Sequence, residues 1–224
     1  MTNAASGTHR RRRIDARSSA ERIIAAGRNV LGAGEGSLER IAAEAGVGIA
    51  TLYRHFPNRE AIVRAVLDDI LETDLLPLIT DASAARHPRQ SILDIATRLL
   101  DLITEERGLV TFAGNFADVA VDALQRFSDS LRPLLERAQE QGEIRVDLTA
   151  DDIPRFLVMG IAALALPGTT PATRARFTVL LFDSLNPANA TPLPPLRPET
   201  EEDDLHTAVS SAMGVPEKSR KSVQ

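Results

Sequence analysis

Apolar residues recur along this chain at spacings of three and four, and glycine and proline interrupt them at intervals. That spacing gathers apolar side chains on one face of an α-helix, whose period is 3.6 residues. No stretch shows the sustained alternation of β-branched residues that indicates a half-buried strand. The pattern therefore predicts an all-α fold.

Two helices are predicted at the start of the chain. The first begins at Ser18 or Ser19 and is ended by "GAGEG" at 32–36. Ser37 suits the N-cap of the second helix, and Gly46 suits the left-handed residue that follows its end. Each helix has an apolar face, formed by Ala20, Ile23, Ile24, Gly27, Val30 and Leu31 in the first and by Leu38, Ile41, Ala42 and Ala45 in the second.

A third, short helix is predicted from Ile49 to Phe56, where Pro57 ends it. Asn58 then caps a longer helix that runs to about Leu75, and Pro77 marks the end of a first domain. The buried stripe predicted for this fourth helix is Ala61, Ile62, Ala65, Val66 and Ile70.

After a connector at 78–88, helical patterns follow at about 89–106, 109–117 and 119–141. A capping box, Thr149 with Asp152, opens a helix to about Leu166, and Pro171 opens a last helix to about Leu185. The predicted organisation is a disordered basic arm at 1–17, a head at 18–76, a helical body at 77–186 and a mostly disordered tail at 187–224.

Charge separates the two ends of the chain. The net charge is −5, yet residues 1–66 hold 11 arginines against 6 acidic residues and therefore carry +5. A basic front and an acidic remainder favour a polyanion-binding module joined to a second unit. Four of these arginines stand at 10–13, so the asymmetry depends largely on the arm.

Several chemistries lack their sequence signals. The chain has no cysteine, its four histidines have no metal-ligand spacing, and "GAGEG" lacks the strand and lysine of a phosphate loop. The arginines at 10–13 precede no apolar signal core, and the apolar run from Phe156 to Pro167 is shorter than the roughly 20 residues of a membrane span. We expect no enzyme activity, cofactor or metal, no membrane partner, and a cytoplasmic location.

The segment "LERIAAEAGVGIATLYRHF" has the pattern of a helix-turn-helix, two helices joined by a short glycine-containing turn. Its apolar residues can all point inward: Leu38, Ile41, Ala42, Val47, Leu52 and Phe56. The open side of the second helix then carries Ile49, Ala50, Thr51, Tyr53, Arg54 and His55. Hydroxyl, imidazole and guanidinium groups suit phosphate oxygens and guanine edges, so the pattern predicts double-stranded DNA as a partner.

At these residues the chain resembles the TetR-type transcriptional repressors. The segment "SLERIAAEAGVGIATLYRHFPNREAIVRAVLDDI" carries the resemblance, which covers about residues 17–72. It implies a three-helix DNA-binding head on a larger helical body, a homodimer paired through its last two helices, and release from a palindromic operator by a small molecule.

The resemblance also implies roles for individual residues. Thr51, Tyr53, His55 and Arg59 would hold phosphates, and Ser37 would contact the DNA backbone. Ile49, Ala50 and Arg54 would face bases or groove walls. Ile49 and Ala50 stand where the family often has polar residues, which shifts direct readout to Arg54 or to the arm "HRRRRIDAR". That arm either enters the minor groove or adds nonspecific attraction.

The body is similar to that of an SbtR-like subgroup, on the segments "RGLVTFAG" and "LERAQEQGEIRVDLTADDI". Two apolar stripes are candidates for pairing or for the core, one with Ile153, Leu157, Ile161 and Leu164 and the other with Phe177, Leu180, Leu181 and Leu185. Candidate pocket residues are Leu99, Phe112, Asn115, Phe116, Phe127, Leu131 and Met159, which favour a hydrophobic or aromatic effector.

Other readings stay open at this point. The chain could be a helical small-molecule-binding or catalytic protein whose helix-turn-helix is only scaffold. A regulator of this kind could also be an activator, or act without any ligand.

Overall fold

The computed structural model describes residues 4–109, 117–164, 168–188, 190–194 and 209. These residues contain helices and no strand, so the all-α prediction is confirmed. The helices are α1 (Ala4–Gly32), α2 (Leu38–Glu44), α3 (Ile49–His55), α4 (Arg59–Ile70), α5 (Leu76–Ala82), α6 (Pro88–Glu105), α7 (Ala117–Glu140), α8 (Ile153–Leu164) and α9 (Pro171–Asp183).

The caps that the sequence predicts are present in the head. The hydroxyl of Ser37 accepts from the backbone N–H of Arg40, and the Asn58 side chain accepts from the N–H of Ala61. Gly46 takes a φ of 63°, in the left-handed region where a side chain is disfavoured. These local signals fix where α2 and α4 begin and where α2 ends.

α1 is longer than predicted. The helix extends back to Ala4, through residues that the sequence assigned to a disordered arm. Arginine and alanine, which dominate this stretch, are among the best helix formers, so nothing in the local propensity stops the helix at Ser18.

The boundary predicted at Pro77 is not a break in the structure. α4 passes through a π-helical segment, Leu71–Leu75, directly into α5, and the helical path ends only at Ala82. Pro77 lies in the first turn of α5, directly after the π-helical segment, and the helical path continues past it although proline has no backbone N–H. The last helix of the head therefore continues into the body.

The body helices lie close to their predicted positions. The region predicted as 89–106 is α6, and the region predicted as 119–141 is α7. Asp152 accepts from the backbone N–H of Thr149 at 2.7 Å, as the predicted capping box requires, and a short 3₁₀ turn leads into α8. The helix predicted at 109–117 falls almost wholly outside the described residues.

One continuous apolar core joins head and body. Its buried members include Ile23 of α1, Leu52 of α3, Val66 of α4, Ile95 of α6 and Phe127 of α7. Because the same cluster crosses from α1 to α7, the head does not pack as a separate unit. No helix in the described ranges combines the length and apolarity needed to cross a bilayer.

Parts of the predicted tail contact the body. The backbone N–H of Leu193 donates to Asp147, and Arg145 donates to Asp147 and to the carbonyl of Thr191. The Arg145 guanidinium, together with the Leu193 N–H, holds the pKa of the Asp147 carboxyl far below its usual range. Val209 is buried in a small cluster with Ala120 and Val158. These contacts fall within the segment predicted as a mostly disordered tail, and that prediction stays open; residues 189, 195–208 and 210–224 lie outside the described part.

Candidate nucleic-acid interface

α3 is anchored to the core by one side. Leu52 is completely buried, and Phe56, which follows the helix, packs against the same core. Ile49 and Tyr53 are 39% and 47% exposed. Burial of Leu52 sets the rotation of this two-turn helix, so the opposite face must point to solvent.

The predicted DNA contacts share that solvent face. Ala50 and Arg54 are exposed with Ile49 and Tyr53, whereas Thr51 and His55 are half-buried at its edges. The His55 ring lies 6.3 Å from the Phe56 ring, in a tilted arrangement that steadies the imidazole beside the core. All six residues predicted on α3 are thus brought to one surface.

Arg54 and Arg59 differ from most of the arginines around them. Within the part of the chain that the structure describes, neither makes a hydrogen bond or an ion pair. By contrast, Arg40 is paired with Glu35 at 2.8 Å and Arg64 with Asp122 at 2.6 Å. Arg59 acts on Glu39 only through space, as the smallest of the causes that lower the pKa of that carboxyl, so the N–H groups of both guanidiniums are available to an external anion.

Ser37 has a competing role. Its hydroxyl donates to Glu39 at 2.9 Å and accepts from Arg40 at 3.3 Å, so the side chain serves as the helix cap. The backbone N–H of Glu39 itself and the Ser37 hydroxyl hold the pKa of the Glu39 carboxyl below its usual range. A DNA phosphate at Ser37 would have to replace Glu39, or approach a backbone N–H instead.

Sequence reasoning left out Arg22 of α1. Its guanidinium reaches the turn between α2 and α3, because a Cβ atom built at Gly46 would lie 3.6 Å from Arg22 Nη1. Arg22 is exposed and holds Ser19 at 3.4 Å. It is not among the residues of the apolar face predicted for α1, and only the packing of α1 against the turn reveals its place beside the interface.

A cavity of about 110 Å³ lies between the body helices and the end of α4 with its π-helical segment. Its lining among the described residues is apolar except for Glu106: Leu67, Ile70, Leu71, Leu75, Leu99, Leu102, Ile103, Glu106, Leu109, Ala120, Ala123, Leu124, Phe127 and Ile161. The Glu106 carboxylate is paired with Arg28 outside the cavity. The walls can therefore bind a molecule only through shape and apolar contact.

The predicted pocket residues do not all meet in this cavity. Leu99 and Phe127 line it, whereas Leu131 lines a smaller neighbouring space of about 40 Å³ together with Phe127. Met159 is 57% exposed and lines neither, because it lies on the outward side of α8. Phe112, Asn115 and Phe116 lie outside the described residues.

Several apolar side chains of α8 and α9 are exposed. Phe177 and Leu180 of α9 are 48% and 53% exposed, and Met159 of α8 is 57% exposed. Other members of the two predicted stripes point inward, since Ile161 and Leu185 are buried. The stripes therefore divide between the core and an exposed apolar face.

Among the described residues no group of three His, Cys, Asp or Glu side chains is placed to hold a metal ion. The candidate interface consists instead of the exposed face of α3, with Arg54 near the end of that helix and Arg59 at the start of α4. The apolar cavity lies apart from it.

The comparisons with known proteins bear on this arrangement. Residues 23–66 match the family described as bacterial regulatory proteins, tetR family. A TetR transcriptional regulator from Streptomyces coelicolor is 30% identical, with a TM-score of 0.57 over 75% of this chain and 99% of that chain. No curated protein sequence matches the chain.

Two further structures are similar. A TetR regulatory protein from Mycobacterium vanbaalenii is 26% identical, with a TM-score of 0.55 over 78% of this chain and 98% of that one. A TetR-family regulator from Mesorhizobium loti has a TM-score of 0.58 at 17% identity, covering 76% of this chain and 96% of its own, which supports the fold alone. None of these matches tests the SbtR-like resemblance of the body. The helix-turn-helix geometry and the 30% identical relative together show that the chain belongs to the TetR family of DNA-binding transcriptional regulators.

Proposed function

We propose that this regulator is a repressor that binds a palindromic operator as a homodimer and leaves it when a small apolar effector enters the body. The observation that carries the proposal is the exposed face of α3, where Arg54 projects without an internal partner next to Tyr53. A DNA target also places its action in the cytoplasm.

The proposed contacts are of two kinds: phosphate contacts, which position the head on DNA, and base contacts, which recognise the sequence. Thr51, Tyr53 and His55 hold phosphate oxygens, and Arg59, in the first turn of α4, adds a charged contact to the same strand. Arg54 reads a base edge, because a guanidinium forms two parallel bonds with guanine O6 and N7. Ile49 and Ala50 at the start of α3 fit thymine methyl groups or the groove wall.

Dimerisation is proposed through α8 and α9. Met159, Phe177 and Leu180 form an exposed apolar face on these helices. A face of this kind on a folded chain favours burial against a second copy, and a two-fold axis lets the same face serve both partners. Two heads related by that axis require an operator with inverted half-sites.

The effector proposed for the cavity is small, uncharged and apolar or aromatic. At about 110 Å³ the cavity is somewhat smaller than the roughly 150 Å³ apolar cavity that binds benzene in an engineered protein. An ionised group would have to lose its hydration among leucine and phenylalanine side chains, which costs several kcal/mol.

Selection of duplexes by the intact chain from random-sequence DNA tests the proposal. We expect an inverted repeat to emerge, with binding that weakens steeply as salt rises because phosphate contacts release counterions. Selected duplexes without two-fold symmetry would refute the dimeric operator. If no duplex is selected, the protein does not bind DNA, and the helix-turn-helix has only a structural role.

A further inference from the structure

The carboxyl end of α1 rests directly on the chain that follows α6. A Cβ atom built at Gly108 would overlap the backbone nitrogen of Gly34 and the carbonyl oxygens of Leu31 and Gly32. These are backbone atoms, which cannot rotate away as the end of a flexible side chain can. Glycine at 108 is therefore what lets the head and the body touch at this distance.

Gly32 has a matching restriction. A Cβ atom at Gly32 would lie 2.6 Å from Oε2 of Glu106. The other carboxylate oxygen, Oε1, accepts from Nε of Arg28 at 2.7 Å, and Nη1 of Arg28 donates to Asp74 at 2.8 Å. We call Arg28, Gly32, Glu106 and Gly108 the α1 socket.

The ion pair of the α1 socket is shielded from solvent. The side chains of Arg28 and Glu106 are 24% and 17% exposed. Asp74 is shared with a second arginine, Arg98 of α6, at 3.3 Å. Charge-assisted hydrogen bonds in a partly buried network hold their side chains in place more firmly than isolated surface ion pairs do.

The α1 socket contributes one residue to the cavity wall. Glu106 lines the cavity, and so does Leu109, the neighbour of Gly108. Leu71 and Leu75, on either side of Asp74 in the π-helical segment, line it as well. A molecule in the cavity therefore contacts one residue of the α1 socket and the chain neighbours of Gly108 and Asp74.

We propose that the α1 socket is the joint through which the contents of the cavity set the position of the DNA-binding head. This rests on the proposed function, since it assigns a route to the effector response. A ligand that shifts Glu106 and Leu109 also shifts Gly108. Because Gly108 is in close contact with the backbone at the end of α1, α1 has to move with it. Gly108 acts on DNA only by positioning α1.

Gly108→Ala tests the joint without any effector, because the added methyl group pushes on α1 as an occupied cavity would. The palindrome is first selected from random DNA by the unmodified full-length protein. The affinity of the variant is then measured for that palindrome and for a duplex with a single half-site. We expect at least a tenfold loss on the palindrome, less than a twofold change on the half-site, and a changed optimum of half-site spacing.

Gly160→Ala is the matched control, because its Cβ would meet only a side-chain carbon of Leu181 at an ordinary 3.5 Å. We expect it to bind both duplexes as the unmodified protein does. An equal loss of Gly108→Ala on palindrome and half-site, or no loss on either, overturns the joint while leaving the proposed function intact. Failure of the unmodified protein to select a palindrome instead overturns the proposed function.

Glu106→Gln is the second test of the joint, and it is used if circular dichroism shows that Gly108→Ala does not fold. Glutamine keeps the shape of the side chain but removes the charge that holds Arg28. We expect a loss of threefold or more on the palindrome and none on the half-site. Unchanged binding to the palindrome, or an equal loss on both duplexes, overturns the joint.

Discussion

Arg64 of α4 and Asp122 of α7 form an ion pair across the boundary of head and body, with Nη1 and Oδ2 2.6 Å apart. One helical turn further along each helix, Asp68 and Arg126 repeat the contact with the charges exchanged, at 2.5 Å. The two helices therefore face each other with complementary charges at two successive turns. This arrangement favours one register between the head and the body.

Asp122→Asn should have little effect on stability. The side chains of Arg64 and Asp122 are 40% and 46% exposed, and an ion pair screened to this degree contributes about 1 kcal/mol or less. Urea unfolding should show a fall of that size in the free energy of unfolding, and the difference should shrink in high salt. Asp151→Asn, at an aspartate whose side chain is 82% exposed, is the control. A loss of several kcal/mol would mean that the pair is far better shielded than its exposure indicates.

Arg54→Ala should relax sequence discrimination. If its guanidinium contacts a base edge, its removal costs about 1–3 kcal/mol per half-site at one base pair and little on random DNA. Binding to a set of operators with single base-pair changes measures this. Equal losses on the operator and on random DNA would assign Arg54 to a phosphate.

Arg59→Ala should weaken binding to every sequence to a similar extent. A phosphate contact carries no sequence information, and its loss lowers the slope of log affinity against log salt by about one per head. Arg86→Ala, which removes an exposed arginine of the body, is the control and should leave the slope unchanged. A slope that is the same in Arg59→Ala and in the unmodified protein would exclude Arg59 from the contacts.

Leu180→Asp should convert the dimer to monomers. Leu180 is 53% exposed on α9, so the monomer should fold, but a buried carboxylate at a two-fold interface would be costly on both sides. Sedimentation velocity measures the state of association. Val146→Asp, at an 80% exposed apolar residue outside α8 and α9, should remain dimeric. A Leu180→Asp protein that sediments as a dimer would place the interface on another face.

Asp147→Asn should reduce the sensitivity of the protein to acid. The pKa of Asp147 is lowered in the folded state from its ordinary 3.8 by the hydrogen bonds with Arg145 and Leu193. A lowered pKa adds stability above pH 3.8, and this stability is lost as the pH falls below that value. Melting temperatures between pH 5 and pH 2 should therefore fall less steeply in the variant. Parallel curves would show that the hydrogen bonds with Arg145 and Leu193 do not lower the pKa of Asp147 in solution.

The sequence predicts local features of the head better than it predicts the joins between elements. Ser37, Gly46 and Asn58 act within one turn of their own position, so caps and turn are predictable from residue type alone. The exposed face of α3 follows from the spacing of Leu52 and Phe56.

The features that the sequence does not specify all depend on contacts between distant residues. Pro77 reads as a boundary because proline often ends a helix, but tertiary packing of Leu75 and Ile79 carries the path onward. The placement of Met159 outside the cavity depends on the rotation of α8, which its own sequence, apolar at almost every position, does not specify. The close approach at Gly108 has no local signal at all.

The unbroken path from α4 through Leu71–Leu75 into α5 bears on the construction of chimaeric regulators. A graft made at Pro77 would place its seam within the first turn of α5, among side chains that belong to the common core. The rotation of α5 about its axis would then depend on core side chains of the recipient protein, which did not evolve with this head. Residues 83–87, between α5 and α6, offer a seam at which that rotation is preserved, so a transplanted head should include α5 as well.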